Sequence, residues 1–263
     1  MIDPLTPQPV DVLSPLRLLR PPGRPADESI AVEVPIALTV NEVSQAVMLA
    51  TPADLEDFAL GFALNEGWIA ARRDLLDVDV IARPEGVELA LRVTAAREQQ
   101  LKARRRLLAG RTGCGLCGLE SLAQVGAVQP DRVQAPALAP DALARALPAL
   151  QAAQVLNARC SGLHAAAWCS VDGQLHLARE DIGRHNALDK LCGALARQDA
   201  DPRAGFVLMS SRASFELVHK TAMAGAGLLA CMSAPSSLAI DTAERLGLQL
   251  WAFVREGRAT RYA

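Results

Sequence analysis

Phe206-Val207-Leu208-Met209-Ser210-Ser211-Arg212-Ala213-Ser214-Phe215 decides the fold: a short apolar run of strand length closes in a serine-rich turn and gives way to a helix. The unit then repeats. Phe215 to Ala224 has helical periodicity, Leu228 to Met232 is a second short apolar run, Ser236 to Leu246 is helical and stops at Gly247, and Leu248 to Val254 is a last strand. Strands alternating with helices argue for a three-layer α/β domain with a largely parallel sheet. Ligands of such sheets sit outside the carboxyl ends of the strands.

Working back from this stretch, Asn186 to Ala196 reads as a helix with Leu188, Leu191 and Leu195 inward. Leu163 to Ser170 and Gln174 to Ala178 flank Val171-Asp172-Gly173 as a hairpin, and Asp141 to Asn157 is an Ala/Leu-rich helix. The polar link from Gln129 to Pro140 marks a boundary, so residues 129–263 form one α/β domain.

Residues 29–128 make a smaller α+β unit. Val32, Val34, Ile36, Leu38 and Val40 alternate, the Asn41-Glu42 turn reverses the chain, and Val43 to Leu49 returns as a hairpin partner. Thr51-Pro52-Ala53-Asp54 then opens a helix, with Thr51 as its cap and Pro52 at the first helical position. Leu55, Phe58, Ala59, Phe62 and Ala63 share a face, and the helix ends near Gly67. Asp77 to Ile81 and Val87 to Val93 form a second pair across the turn Arg83-Pro84-Glu85-Gly86. Ala95 to Ala109 is a helix bearing Lys102, Arg104, Arg105 and Arg106. Residues 1–28, rich in proline and carrying Arg17, Arg20 and Arg24, read as a flexible or loosely docked leader with no assigned role.

The 263 residues suffice for two medium cores. Hydrophobic residues are 51% and aromatics only 3%, so Ala, Leu and Val must build those cores. A net charge of −2 gives no global field for nucleic acid or an anionic membrane, so any anion site must be local. The N-terminus has no basic n-region or apolar h-region, and no run approaches membrane-spanning length, so a cytoplasmic protein is expected. In that compartment Cys160, Cys169, Cys192 and Cys231, scattered singly through apolar segments, are expected to stay thiols and pack as small hydrophobes.

Three strand-to-helix junctions are more polar than capping requires. Arg179-Glu180-Asp181-Ile182-Gly183-Arg184-His185-Asn186 packs five ionisable groups around one glycine. Ser210-Ser211-Arg212-Ala213-Ser214 and Ser233-Ala234-Pro235-Ser236-Ser237 put hydroxyls at helix starts. Helix N-termini with serines and arginines suit phosphate or pyrophosphate, although any one serine can equally be a cap. His164, His185 and His219 are candidates for moving protons at such a site, and Glu216 and Lys220, four apart, are expected to form an ion pair along their helix.

Gly113-Cys114-Gly115-Leu116-Cys117-Gly118 is the place where reactive side chains crowd together in sequence. Its glycines let a partner approach the sulfurs, Arg111 stands just ahead, and Leu119 to Ala123 reads as the start of a helix, whose N–H groups favour a thiolate. Structural zinc would need Cys160 and His164 to complete a tetrahedral set. A thioredoxin-like role fits poorly, because that motif follows the first strand of a compact βαβ unit. Sulfur or acyl carriage needs an accessible low-pKa thiol, room for a partner and a nearby acceptor pocket, and the sequence offers candidates for all three.

Cys114-Gly-Leu-Cys117-Gly, Gly162-Leu-His164-Ala-Ala-Ala, Arg179-Glu-Asp-Ile-Gly-Arg-His-Asn-Ala-Leu-Asp-Lys190, Ser210-Ser-Arg-Ala-Ser-Phe-Glu-Leu217 with Lys220, and Gly247 through Arg258 together resemble the FdhD-type sulfurtransferases, accessory proteins of formate dehydrogenase. The resemblance covers the chain from Ile30 onward. It implies a homodimer with a C-terminal cytidine-deaminase-like fold that takes sulfur from a cysteine desulfurase. That sulfur passes to the molybdenum cofactor, in its bis-molybdopterin guanine dinucleotide form, before the cofactor enters formate dehydrogenase.

By position, the persulfide site of the family maps onto Cys114 and Cys117. Cys114 is the first choice for the persulfide and Cys117 its resolving or relay partner. A cofactor-binding stretch maps onto Phe253-Val254-Arg255-Glu256-Gly257-Arg258, and His164, Arg184, His185, Ser211, Arg212, Ser214 and Lys220 join it as candidates, with guanine nucleotides as fragments of the ligand. Deaminase chemistry is not implied, since His164 is followed by Ala165-Ala166 where the zinc signature needs a glutamate. Gly113 replaces a hydroxyl residue of some members, and the leader has no match. The rival reading is a non-catalytic cofactor chaperone whose Cys-x-x-Cys binds zinc or shapes a loop.

Overall fold

A computed structural model describes residues 12–20, 22, 26–108, 129–256 and 258–263, so Cys114, Cys117, Gly257, Arg111 and the expected helix start at Leu119 lie outside the described residues. Twelve strands and seven helices occur among the described residues.

The first unit is a four-stranded sheet in the order β4-β3-β6-β5 with one helix across it. β3 (Val34–Val40) and β4 (Val43–Ala50) form the expected hairpin, and β5 (Leu75–Arg83) pairs antiparallel with β6 (Gly86–Val93). Asn41 and Glu42 both adopt positive φ, 44° and 69°, which matches the right-handed strand twist. Alternation decides which face is buried: Ile36, Leu38, Leu89 and Leu91 are sealed against Phe58 and Phe62 of α1 (Leu55–Asn65). α2 (Ala95–Leu108) follows β6.

Two expectations change in this unit. Thr51 does not cap α1, whose N-cap is Asp54 without a side-chain bond. Thr51 is fully buried and turned toward the other unit instead. The leader is not wholly a tail either: β1 (Leu16–Leu19) pairs antiparallel with β2 (Glu28–Ala31). Both strands are mostly exposed, so they lack the apolar alternation that would have marked them.

The second unit is a six-stranded sheet in the order β12-β11-β10-β9-β7-β8. Its strands are β7 (His164–Ser170), β8 (Leu175–Asp181), β9 (Gly205–Met209), β10 (Leu228–Cys231), β11 (Gln249–Arg255) and β12 (Arg258–Arg261). The helices are α3 (Ala142–Ala153), α4 (Asn157–Cys160), α5 (Arg184–Arg197), α6 (Phe215–Met223) and α7 (Ser237–Leu246).

β9, β10 and β11 pair parallel, β7 and β12 run against them, and β8, antiparallel to β7, runs with them, so the sheet is mixed where a largely parallel one was expected. Hairpins of short connection can only be antiparallel, and β7–β8 and β11–β12 are both such pairs. The three layers are as expected. Phe206, Leu208, Leu228 and Ala230 face α3, while the alternate residues Val207, Met209, Leu229 and Cys231 face α5, α6 and α7. The helix expected over 141–157 stops early, at Ala153; the Glu180 carboxylate accepts from the N–H groups of Leu156 and Asn157, both at 2.8 Å, where the separate short helix α4 begins.

α1 and α5 join the units. They cross at two glycines: a methyl on Gly61 would lie 1.8 Å from the carbonyl oxygen of Asp189, and one on Gly193 would lie 1.9 Å from that of Asp57. α5 is therefore covered on both sides, and all residues from Asn186 to Leu195 are buried. That run includes two charges the leucine pattern did not anticipate, Asp189 and Lys190. No helix among the described residues is long and apolar enough to cross a membrane.

Candidate functional site

Parallel strands β9, β10 and β11 end on one edge of the sheet. Antiparallel β7 begins there and β8 ends there, since His164 is paired with Asp181. The predicted residues His164, Arg184, His185, Ser211, Arg212, Ser214 and the stretch from Phe253 are thereby gathered from the ends of β7, β8, β9 and β11 onto one rim.

The rim loops are fastened to one another. Ala213 and Pro235 form a parallel bridge, the N–H of Ala213 donates to the Ala234 carbonyl at 3.1 Å, and that of Ser236 donates to the Ala213 carbonyl at 3.0 Å. The N–H groups of Ser233 and Phe253 donate to the carbonyls of Ser211 and Ser233, each at 3.2 Å. Arg255 hydrogen-bonds the Met232 carbonyl. The Ser210 hydroxyl accepts from the Ala165 N–H at 2.8 Å, which ties in β7.

Beneath the rim lies a buried polar pin. The Asp181 carboxylate accepts four bonds: Gly183 N–H at 2.7 Å and Asn186 Nδ2 at 3.0 Å on one oxygen, Thr51 N–H at 3.0 Å and Lys190 Nζ at 2.7 Å on the other. Lys190 spends its remaining donors on the carbonyls of Thr51 and Glu180, at 2.9 and 3.2 Å. The Thr51 hydroxyl accepts from the Ile182 N–H at 3.2 Å. Every lone pair and proton is used, the condition under which a buried ion pair is tolerated. The start of α5, where Arg184 and His185 stand, is thus held by the first unit.

On the exposed side the groups are less committed. Nε of Arg184 is buried without a hydrogen-bond partner among the described residues, and neither Arg184 nor Arg212 has an ion-pair partner among them. His164 is half-buried, and its imidazole is held below the usual histidine range by burial first, then by Arg184, His185 and Arg212, with Asp181 opposing. Ser214 precedes α6 without capping it, and its hydroxyl lies 3.4 Å from Nε2 of His185. Phe253 holds a positive φ of 50° at a β-bulge and keeps its ring exposed, a costly conformation for a bulky residue. Glu256 and Arg258 are exposed beside it.

Other expected residues have structural partners. The Ser236 hydroxyl caps α7 by accepting from the Ala239 N–H at 3.2 Å. Ser211 donates to the Arg212 carbonyl at 3.1 Å, and His219 lies 5.7 Å from the Phe215 ring. The ion pair expected between Glu216 and Lys220 does not form. Lys220 turns inward to Asp189, with contacts at 2.7 and 2.8 Å, and Glu216 pairs with His185 at 2.6 Å. Burial works against the Lys220 charge, but Asp189 and Glu66 outweigh it and raise its pKa. Asn65 adds a 2.6 Å bond to Asp189. Lys220 therefore belongs to the seam between units rather than to the rim.

Cys169, Cys192 and Cys231 are buried as expected, and burial raises their pKa values, to about 12 for the first two. Cys160 is half-buried, its thiol donating to the Leu156 carbonyl at 3.4 Å. Among the described residues no group of three or more His, Cys, Asp or Glu is arranged to hold a metal ion.

Sequence reasoning missed Thr51, Asp181, Lys190, Asp189 and Glu216 as parts of this arrangement. A signal existed for Asp189 and Lys190, adjacent opposite charges between inward-facing leucines. Thr51 had none, because its partners lie more than a hundred residues away.

The fold and the rim define a mixed α/β protein with a cationic rim at the carboxyl ends of its parallel strands. The chain belongs to the FdhD/NarQ family, whose profile matches residues 31–263. Sulfur carrier protein FdhD of Variovorax paradoxus is 54% identical over 226 residues, covering 86% of this chain and 81% of the relative. The protein of the same name from Burkholderia cenocepacia is 50% identical over 239 residues, covering 88% and 86%. A crystal structure described as a formate dehydrogenase accessory protein from Desulfotalea psychrophila shares the fold with a TM-score of 0.69, covering 94% of each chain at 23% identity.

Proposed function

We propose that this protein is a sulfur carrier that serves formate dehydrogenase, with Cys114 bearing a persulfide and the rim holding the acceptor. The relatives named sulfur carrier proteins support the first part. The observation that carries the second is Arg184: a buried guanidinium N–H without a partner among the described residues, beside Arg212, the depressed imidazole of His164 and the Ser214 hydroxyl, which does not cap α6. Such donors fit the phosphates of a nucleotide-bearing molecule, here the molybdenum cofactor as its bis-molybdopterin guanine dinucleotide. Phe253 to Arg258 continue the rim toward it.

In the first step the Cys114 thiolate attacks the outer sulfur of a persulfide on a cysteine desulfurase. The donor's S–S bond breaks, its cysteine leaves as a thiolate, and Cys114 keeps the sulfur with no net change in oxidation state. Cys117 relays the sulfur by the same exchange toward the acceptor. The reading includes a homodimer in the cytoplasm.

Incubation with a desulfurase and cysteine, followed by mass spectrometry of the peptide carrying both thiols, tests this. Added sulfur is expected on the wild type and none on Cys114→Ala; equal loading of both overturns the assignment. The rival, a cofactor chaperone in which the pair binds zinc, predicts instead one stoichiometric zinc that survives dialysis.

A further inference from the structure

We propose that Glu216 is a positioning residue: its carboxylate holds the Nε2–H of His185, so that the imidazole in its neutral form meets the ligand of the rim through a bare Nδ1. The inference deepens the cofactor-binding reading and rests on it for the ligand alone.

His185 stands in the first turn of α5 and Glu216 in the first turn of α6. Nε2 of His185 is 2.6 Å from Oε2 of Glu216, with the Ser214 hydroxyl at 3.4 Å on the same nitrogen. A neutral imidazole has one donor and one acceptor. The carboxylate can only accept, so the proton sits on Nε2 and the lone pair on Nδ1, whereas the Ser214 hydroxyl, able to donate or accept, would impose neither. Nδ1 has no partner among the described residues. The His185 hydrogen bond in turn holds the Glu216 carboxyl below its usual range.

The charged and titratable groups around the pair are His164 from β7, Arg184 from α5, Arg212 from the loop before α6, and Lys220, which acts on Glu216 from the next turn. Arginine and lysine offer only donors. In its neutral form His185 therefore supplies acceptor capacity on a rim otherwise rich in cations. A ligand suited to it carries an N–H, O–H or S–H donor next to its anionic groups, rather than phosphate alone.

Long-range proton–nitrogen correlation spectra of histidine-labelled protein, recorded without nucleotide at pH ~8.5, above the usual imidazole titration, read the tautomer directly. His185 is assigned by the signal lost in His185→Gln. The expected result is a proton on Nε2 in the wild type and a mixture of tautomers in Glu216→Ala. A proton on Nδ1 in the wild type, or an unchanged tautomer in the variant, overturns the proposal. A purely structural Glu216 would move the melting temperature and leave the tautomer alone. Since its side chain is 53% exposed, the variant is expected to fold. GDP is the second probe: roughly tenfold weaker binding is expected in Glu216→Ala, and unaltered affinity counts against a ligand contact at Nδ1. If GDP fails to bind the wild type, the reading of the rim fails while the tautomer result still decides the role of Glu216.

Discussion

Gly61 of α1 and Gly193 of α5 face each other at the helix crossing, where each has room for a hydrogen and none for a methyl. The atoms in the way are backbone carbonyls, which cannot swing aside as a side chain would. Gly61→Ala is expected to force the helices apart and cost about 3 kcal/mol or more, toward the upper end of overpacking effects. Urea unfolding checks it; an unchanged midpoint would show that the crossing can give.

The Asp181–Lys190 pair makes a second prediction. Both side chains have zero exposure, so Lys190→Met leaves a carboxylate buried without its counter-charge. A loss of about 3–5 kcal/mol is expected. Adding Asp181→Leu removes the stranded charge and should restore part of the midpoint, though not the loop that Asp181 holds.

Arg184→Gln keeps a polar side chain and removes the guanidinium from the rim. GDP binding measured by isothermal titration is expected to weaken about tenfold or more, the scale of a charge-assisted hydrogen bond. Equal affinity would place the nucleotide elsewhere.

Thiol alkylation of the native protein separates buried from available cysteines. Burial raises the pKa values of Cys169, Cys192 and Cys231, leaving them neither ionised nor reachable near neutral pH. Peptide mass spectrometry is expected to find these three modified only after denaturation.

The outer face of the four-stranded sheet gives a pH dependence. The hydrogen bond from Arg92 holds Asp77 below its ordinary 3.8, and that from Arg83 holds Glu88 below 4.5. Folded values below unfolded ones mean stability that is present above the ordinary range and lost as pH falls through the folded values. Both pairs are exposed and screened, so the effect is small. The melting temperature is expected to drop as pH falls below about 4.5, by a few degrees at most from these pairs, and the double variant Asp77→Asn/Glu88→Gln should flatten that part of the curve.

The strands and helices of the second unit were legible because a short apolar run bounded by turn residues and a period-3.6 pattern are local and strong, as in Phe206 to Met209 and Phe215 to Met223. β12 was not, since Arg258-Ala-Thr-Arg261 is nearly all polar and is held by pairing with β11. The rim was legible as chemistry, arginines and serines at strand ends, but its division of labour was not. Ser236 is a cap and Ser214 is not; Lys220 turns inward to Asp189 although Glu216 is the nearer partner along the chain. Those choices depend on which buried carboxylate most needs a counter-charge, a property of the packed interior.

The α1–α5 seam sets a schedule for synthesis. Asn65 and Asp189, bonded across it, are 124 residues apart in the chain. At translation rates of about 5–20 residues per second, α1 waits on the order of 6–25 seconds for its partner to be made. Throughout that interval the α1 face that carries Asp57, Gly61 and Asn65 is open to water and to other chains, so the buried bonds of the seam close only late in synthesis.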